Sequence, residues 1–354
     1  MDGRKKLNVT AIYFGDAPST YVRLLSRLDG HKSENVAWKS VNFKPVVMGN
    51  RYLTSNLFSR IVHKVVGTLL QYYALLSSVK VIFKSDLIFV IKYPNKFSWS
   101  CILLFKKPVV FDFDDPLWID GFLGVENFTS IIGTADGFTC DNEILLAKAA
   151  NLGAQGIIIP GYVPEIEKSM DREFNNIYRI IWIGSPSTKQ YISSIENDLI
   201  SLYKLNEGIE FFFLGIADLP SFRNLPRATF IEKYDFEDMK HYLLLSDIGL
   251  FPAFNDELGS ARGLHKMNVY LAGGVVPICS DVGLARRAIE KIGAGFICES
   301  ESDWGKNIQK LISDKDTFRS HQNAIASRLR SDLVNRNSIL DLEKYLTTIY
   351  DNRC

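Results

Sequence analysis

The segment Phe111-Asp112-Phe113-Asp114-Asp115-Pro116 puts three carboxylates within four positions, directly after an apolar run. Carboxylates this close repel one another unless a cation or hydrogen-bond donors face them. Strand alternation would set Asp112 and Asp114 on one face and Asp115 on the other. A general base or a hydroxyl-binding carboxylate is one use for such a group. A site for a hard cation is another, although no further acidic cluster or histidine accompanies it. In the plainest reading one Asp caps the next turn and the others are solvated.

A second constellation lies between Asp247 and Pro277. A strand is expected to end at Pro252, followed by a polar loop with Gly259 and Gly263 and then a helix beginning near Arg262 to Lys266. Arg262 and Lys266 are four apart, so on that helix they share a face near its start. Two cations there oppose the helix dipole unless an anion sits between them, which makes a diphosphate a physically motivated partner. The alternative is a pair of solvated surface cations. His265 reads as a packed or capping residue rather than a catalyst.

Two loops offer backbone amides. Gly184-Ser185-Pro186-Ser187-Thr188 follows an apolar strand, with Gly184 free to turn tightly and the hydroxyls of Ser185, Ser187 and Thr188 as donors ahead of a helix. Near the start, Gly15-Asp16-Ala17-Pro18-Ser19-Thr20 is the weaker candidate, either a capped turn or a loop facing substrate. Neither carries the glycine fingerprint of a dinucleotide site or of a P-loop.

The elements that position these groups alternate between short β-branched or aromatic runs and longer helical segments, the pattern of βα units around a parallel sheet. Strands are expected at Val9 to Phe14, Asp86 to Ile91, Val109 to Asp112, Gly137 to Cys140 and Gly156 to Ile159. A second series follows at Arg179 to Ile183, Glu210 to Leu214, Thr229 to Ile231, Ile248 to Phe251, Val276 to Cys279 and Gly295 to Ile297. Between the series, Pro160, Gly161 and Pro164 precede a charged, Asn-containing stretch that reads as a linker over residues 161–178. The expected fold is α/β, two Rossmann-like doubly wound domains facing a cleft: residues 1–165, and residues 175–354 with the last helix packing back on the first domain. In such folds ligands sit at the carboxyl ends of the strands.

Composition narrows the function classes. The 354 residues carry 41 Lys+Arg against 40 Asp+Glu, so no global charge points to nucleic acid, and 47% hydrophobic content excludes disorder as the main state. Five scattered cysteines without ligand spacing argue against a disulfide framework or a structural zinc and fit a reducing cytoplasm. No clean apolar run reaches spanning length, so the protein is expected to be soluble or at most peripheral. The helical region Ser55 to Lys84 mixes Lys and Arg with aromatic residues. It reads either as a basic amphipathic helix on an anionic bilayer, or as a packed apolar face with solvated cations.

In order and approximate spacing, WIGSPST, DIGLFPA, RGLHKMNVYLAGGVVPICSDVG and GAGFICES resemble the family 4 type of nucleotide-sugar glycosyltransferase with the GT-B fold, and FDFDDPLW resembles an acidic segment in a branch of that family. The resemblance implies transfer of a sugar from a nucleotide donor, or a related diphosphate donor, to a glycan or lipid-linked acceptor in surface-polysaccharide synthesis. It implies no metal, no cofactor and no nucleic-acid partner. With the cysteine usage and the basic helical region, the expected place is the cytoplasm, peripheral at the inner face of the membrane.

By that resemblance Gly184, Ser185, Ser187, Thr188 and Glu257 bind the donor, and Arg262 and Lys266 bind it and neutralise the leaving group, with Val269 to Gly274 starting the helix beneath it. Asp16, Ser19, Thr20, Arg23 and Asp112 bind the acceptor, and Asp114 or Asp115 orients or deprotonates its hydroxyl. The pair of glutamates with seven residues between them that many members carry falls on Ala261 and Val269; Glu257 or Asp256 is the substitute carboxylate. A sugar-nucleotide epimerase and a non-catalytic binding protein of the same fold are the competing readings.

Overall fold

The computed structural model describes residues 5–15, 18–43, 72–92, 94–163, 166, 177–328 and 338–353. The chain divides into two compact units, Met1–Tyr162 with Arg336–Cys354, and Val163–Asn335.

The first unit is built on β1 (Leu7–Tyr13), β2 (Val36–Asn42), β3 (Leu87–Ile91), β4 (Val109–Phe113), β5 (Gly137–Cys140) and β6 (Gly156–Ile158), in the order β2-β1-β3-β4-β5-β6. The second holds β7 (Tyr178–Ile183), β8 (Ile209–Leu214), β9 (Ala228–Ile231), β10 (Ile248–Phe251), β11 (Val276–Ser280) and β12 (Phe296–Cys298), in the order β12-β11-β10-β7-β8-β9. All pairings are parallel. This is the α/β, doubly wound architecture expected from the sequence, with one strand added. β2 (VAWKSVN) lies at the sheet edge and is mostly half-buried, with Lys39 and Ser40 exposed, so it lacks the continuous apolar run that marks its neighbours. By contrast β3 (LIFVI) and β4 (VVFDF) are buried at every position, as parallel strands covered on both faces must be.

One device recurs at the amino ends of the sheets. The aspartate just before a strand accepts a backbone N–H from the neighbouring strand: Asp86 from Asn8 at 2.8 Å, Asp136 from Val109 at 2.7 Å, and Asp247 from Arg179 at 2.8 Å. Each satisfies an otherwise orphaned donor and fixes the register there. The core above is aromatic. In the second unit Phe211, Phe213, Phe222 and Tyr203 interlock with ring centroids 5.0–6.4 Å apart, mostly edge to face.

The C-terminal helix Ser338–Arg353 belongs to the first unit. Ile339, Leu342, Leu346 and Ile349 pack against Leu7, Val9 and Phe89, and the buried carboxylate of Glu343 accepts from Trp38 Nε1 at 2.8 Å and Ser33 Oγ at 2.7 Å. Of the region Ser55 to Lys84, residues 55–71 lie outside the described residues, and residues 72–83 are helical.

Candidate functional site

In each sheet the order of strand addition reverses once, at β1/β3 in the first unit and at β7/β10 in the second. The crevice at such a reversal is where open α/β sheets bind ligands. The described sequence-derived candidates lie in or after β4 and on the segments that follow β1, β7 and β10.

In the second unit the β7–β10 ladder runs through Ile248↔Ile180 and Gly249↔Ile181. Further along, the hydroxyl of buried Tyr270 joins the two strands, accepting from Ile183 N–H at 2.9 Å and donating to the Leu250 carbonyl at 3.0 Å. A Cβ on Gly249 would come within 2.5 Å of the Tyr270 ring, so glycine there makes room for it. Burial pushes the Tyr270 phenol far above its ordinary value, which keeps it a neutral donor.

Gly184 follows β7, donates its N–H to Leu214 at 2.8 Å, and lies so close to Trp182 that a Cβ would fall 1.9 Å from the indole. Ser185 then closes the turn: its N–H donates to Thr188 Oγ1 at 2.9 Å, and its hydroxyl lies 2.9 Å from that of Ser187. Thr188 is buried and Ser187 exposed, so of the loop hydroxyls Ser187 is the one presented outward.

The expected helical face for Arg262 and Lys266 is not there. Arg262 terminates the short helix Glu257–Ala261 with extended backbone (φ −70°, ψ 142°), and the next helix, His265–Ala272, starts three residues later. The extended backbone at Arg262 breaks what the spacing reads as one helix. The cations are gathered instead by aromatic rings: Arg262 lies over Tyr191 at 5.4 Å and Lys266 over Trp182 at 5.7 Å from the ring centroids. Trp182 is the penultimate residue of β7, and Tyr191 lies on the helix Lys189–Ser194 that follows the Gly184 loop, so both rings belong to one strand-loop-helix unit.

Other residues of this segment have local duties. Asp256 caps its helix by accepting from Gly259 N–H at 2.7 Å, while Glu257 is exposed in the first turn. Val269 to Gly274 forms the second half and the end of the helix His265–Ala272 rather than its start. Ala261 and Val269, where many relatives of the expected type carry glutamates, are both 2% exposed. His265 opens its helix, half-buried.

In the first unit Asp16 lies outside the described residues. Gly15 turns with φ 90°, Ser19 is half-buried, and the Thr20 hydroxyl donates back to the Gly15 carbonyl at 3.4 Å instead of capping forward. Arg23 and Asp112, expected at the acceptor, lie beneath the surface, each 1% exposed. Arg23 holds Asp112 through two bonds, Nε to Oδ2 at 3.0 Å and Nη2 to Oδ1 at 2.6 Å, and Thr139 donates to the same carboxylate at 2.5 Å. Arg23 also reaches Asp141 at 3.3 Å and the Ile159 carbonyl. Burial alone would pull the Arg23 proton affinity down, but Asp112 outweighs it and holds the guanidinium above its ordinary value. The pair is an internal strut between the first helical segment and β4, with its polar atoms spent within the fold.

Asp114 and Asp115 follow another course. Alternation stops at Phe113, where β4 ends, and both carboxylates turn to Lys92, whose Nζ is 2.6 Å from Asp115 Oδ2 and also contacts Asp114. Lys92 directly follows β3 in a left-handed conformation (φ 44°) and is 5% exposed. It answers the repulsion that the acidic run poses, and its signal in the sequence was a single charge directly after LIFVI. Trp182, Tyr191 and Tyr270 had no such signal, because each reads as an ordinary core aromatic. Among the described residues no group of three or more His, Cys, Asp or Glu side chains is placed to hold a metal ion.

No protein-family profile matches the sequence. No curated protein sequence matches it either. Solved structures do. Sucrose-phosphate synthase from Thermosynechococcus elongatus superposes with a TM-score of 0.64 at 12% identity, over 98% of this chain and 100% of that one. WaaG, a glycosyltransferase involved in lipopolysaccharide biosynthesis, gives 0.64 at 12% identity over 96% and 100%. The chain has the GT-B fold. HepE of Anabaena, solved with UDP and glucose, gives 0.65 at 12% identity over 97% and 100%. At these identities the likeness fixes the GT-B architecture, and the choice among chemistries rests on the side chains above.

Proposed function

We propose that the chain is a glycosyltransferase that takes a sugar from a nucleotide-activated donor and joins it to a hydroxyl of a glycan or lipid-linked acceptor. The observation that carries this reading is the convergence, at the β7/β10 reversal, of the Gly184 turn with Arg262 on Tyr191 and Lys266 on Trp182. In the reaction the bond between the sugar's anomeric carbon and the diphosphate oxygen breaks, and negative charge grows on the departing diphosphate. Fixed cations at that point stabilise the transition state more than the ground state, so they raise turnover as well as binding.

The acceptor hydroxyl bonds to the anomeric carbon and gives up its proton. On this reading Asp114 or Asp115, both paired with Lys92, orients that hydroxyl and takes its proton. The scheme draws on no cofactor and no metal. HepE's bound UDP and glucose make a uridine diphosphate hexose the donor to try first, with pentose and phosphoribosyl donors as the next arms. WaaG's part in lipopolysaccharide biosynthesis supports a surface-polysaccharide product. On this reading the enzyme works in the cytoplasm, against the inner face of the membrane that carries its acceptor.

Ala261 and Val269 in place of carboxylates favour one second reading, a protein that binds a nucleotide sugar without transferring it. Incubation with UDP-sugars and a panel of glycan and lipid-linked acceptors separates the two. Release of UDP that depends on acceptor supports transfer; tight binding of UDP with no release over the whole panel overturns it in favour of the second reading.

A further inference from the structure

The first unit carries an outward face unlike an ordinary helix surface. In helix 72–83 the inward stripe is Ala74, Ser78 and Ile82, each 8% exposed or less. The opposite stripe should be polar and mixed in charge. Instead it presents Tyr73 at 73%, Leu76 at 70% and Phe83 at 63% exposure. The helix Lys96–Leu103 repeats the pattern, with Trp99 and Ile102 inward and Phe97 at 40% and Leu104 at 78% exposure outward. The two helices run side by side and parallel. Tyr72 meets Phe97 at 4.6 Å near their amino ends, and Phe83 meets Phe105 at 5.3 Å near their carboxyl ends. Their outward stripes therefore form one surface.

The charge on that surface has one sign. Residues 72–84 and 94–107 include Lys80, Lys84, Lys96, Lys106 and Lys107 and not one aspartate or glutamate, in a chain whose total charge is balanced. Lys80, Lys84, Lys96 and Lys106 are exposed among the aromatic and aliphatic side chains. A protein partner of mixed surface charge has no need of an acid-free face. An anionic bilayer does: lysines meet the headgroups while tyrosine, phenylalanine and leucine enter the boundary with the acyl chains. No helix among the described residues is long and apolar enough to cross a membrane, so the contact is lateral.

We infer that the outward faces of helix 72–83 and helix Lys96–Leu103 form a docking surface for an anionic lipid bilayer. The inference deepens the membrane contact of the reading above and is independent of donor binding, which the second unit carries.

The test is flotation of the full-length chain with vesicles of phosphatidylcholine alone and of phosphatidylcholine with phosphatidylglycerol, at low and at high salt. One variant combines Lys80→Gln, Lys84→Gln, Lys96→Gln and Lys106→Gln; another combines Tyr73→Ser, Leu76→Ser and Phe83→Ser. All these positions are exposed, and circular dichroism with UDP titration checks that the fold and the donor site survive. The expected result is flotation of the parent chain with the anionic vesicles, reduced by salt. The lysine variant should bind them more than about 100-fold more weakly, and the apolar variant should no longer float.

Flotation undiminished in both variants, or none by the parent chain, overturns the inference. So does a concentration-dependent dimer that the apolar variant abolishes, found without vesicle binding, since it would make the face a contact between copies. UDP binding that persists through a failed flotation leaves the donor site standing. Flotation without UDP binding would instead leave the docking surface and remove the transferase.

Discussion

The two sheet reversals hold their cations in opposite ways. In the first unit Arg23 and Lys92 are each closed on carboxylates, Asp112 for one and Asp114 with Asp115 for the other. In the second, Arg262 and Lys266 rest on the ring faces of Tyr191 and Trp182. A carboxylate neutralises a cation and fixes its donors, whereas a ring face attracts a cation without cancelling its charge. The first arrangement suits a framework that presents carboxylates to a hydroxyl. On the proposed reading, the ring faces of the second help to orient its cations towards a diphosphate.

Breaking the buried pair should have the largest effect. Arg23→Ala strands the Asp112 carboxylate inside the first unit and should cost about 3–5 kcal/mol in denaturant unfolding, whereas Arg262→Ala should cost under about 1 kcal/mol. Equal losses for the two variants would erase the difference between the units. Next, Asp114→Asn or Asp115→Asn should slow transfer more than tenfold, equivalent to about 1.4 kcal/mol or more of transition-state stabilisation, with UDP affinity unchanged. Unchanged turnover in both would remove the carboxylates from the reaction.

The sequence made the alternation of elements legible, because buried parallel strands are continuous apolar runs and their ends carry the turn residues. β2 escaped because an edge strand needs no such run: Lys39 and Ser40 are exposed on it. The acidic run at Asp112 to Asp115 was visible as a problem of repulsion, but its two solutions, Arg23 and Lys92, lie 89 and about 22 positions away, and only folding brings them in. Spacing misled at Arg262, where four residues fit one helical turn, but Arg262 itself leaves the first helix in extended backbone and the next helix starts only at His265. The two cations nonetheless meet one strand-loop-helix unit, through aromatic contacts that no linear pattern encodes.

Smaller effects sharpen the account further. Tyr191→Leu removes the ring beneath Arg262 and should weaken nucleoside diphosphate binding about threefold to tenfold, while Tyr191→Phe should retain most of it. Equal losses in both would point to the hydroxyl instead of the ring. Smallest is a pH effect within the second unit. Burial, then Lys310, pulls His321 below its ordinary value, and its Nδ1 accepts the Gly295 N–H at 3.2 Å, which requires that nitrogen to be unprotonated. The folded chain therefore binds this proton less readily than the unfolded chain. The contribution is complete above about pH 6.5 and is lost as pH falls from there towards the depressed folded value. Unfolding midpoints of the parent chain and His321→Gln should diverge above that pH and converge below it; parallel curves would remove His321 from the balance.

On the proposed reading the β7/β10 reversal binds a nucleoside diphosphate through Arg262 and Lys266. Calorimetric titration of the full chain with UDP, GDP, ADP, CMP and phosphoribosyl diphosphate, repeated for the best ligand with Arg262→Ala and Lys266→Ala, tests it directly. The account predicts selective binding that each variant weakens at least about tenfold, since a charge-assisted contact contributes roughly 1.5–3 kcal/mol. Binding of none of the five, or binding that both variants leave intact, would contradict it.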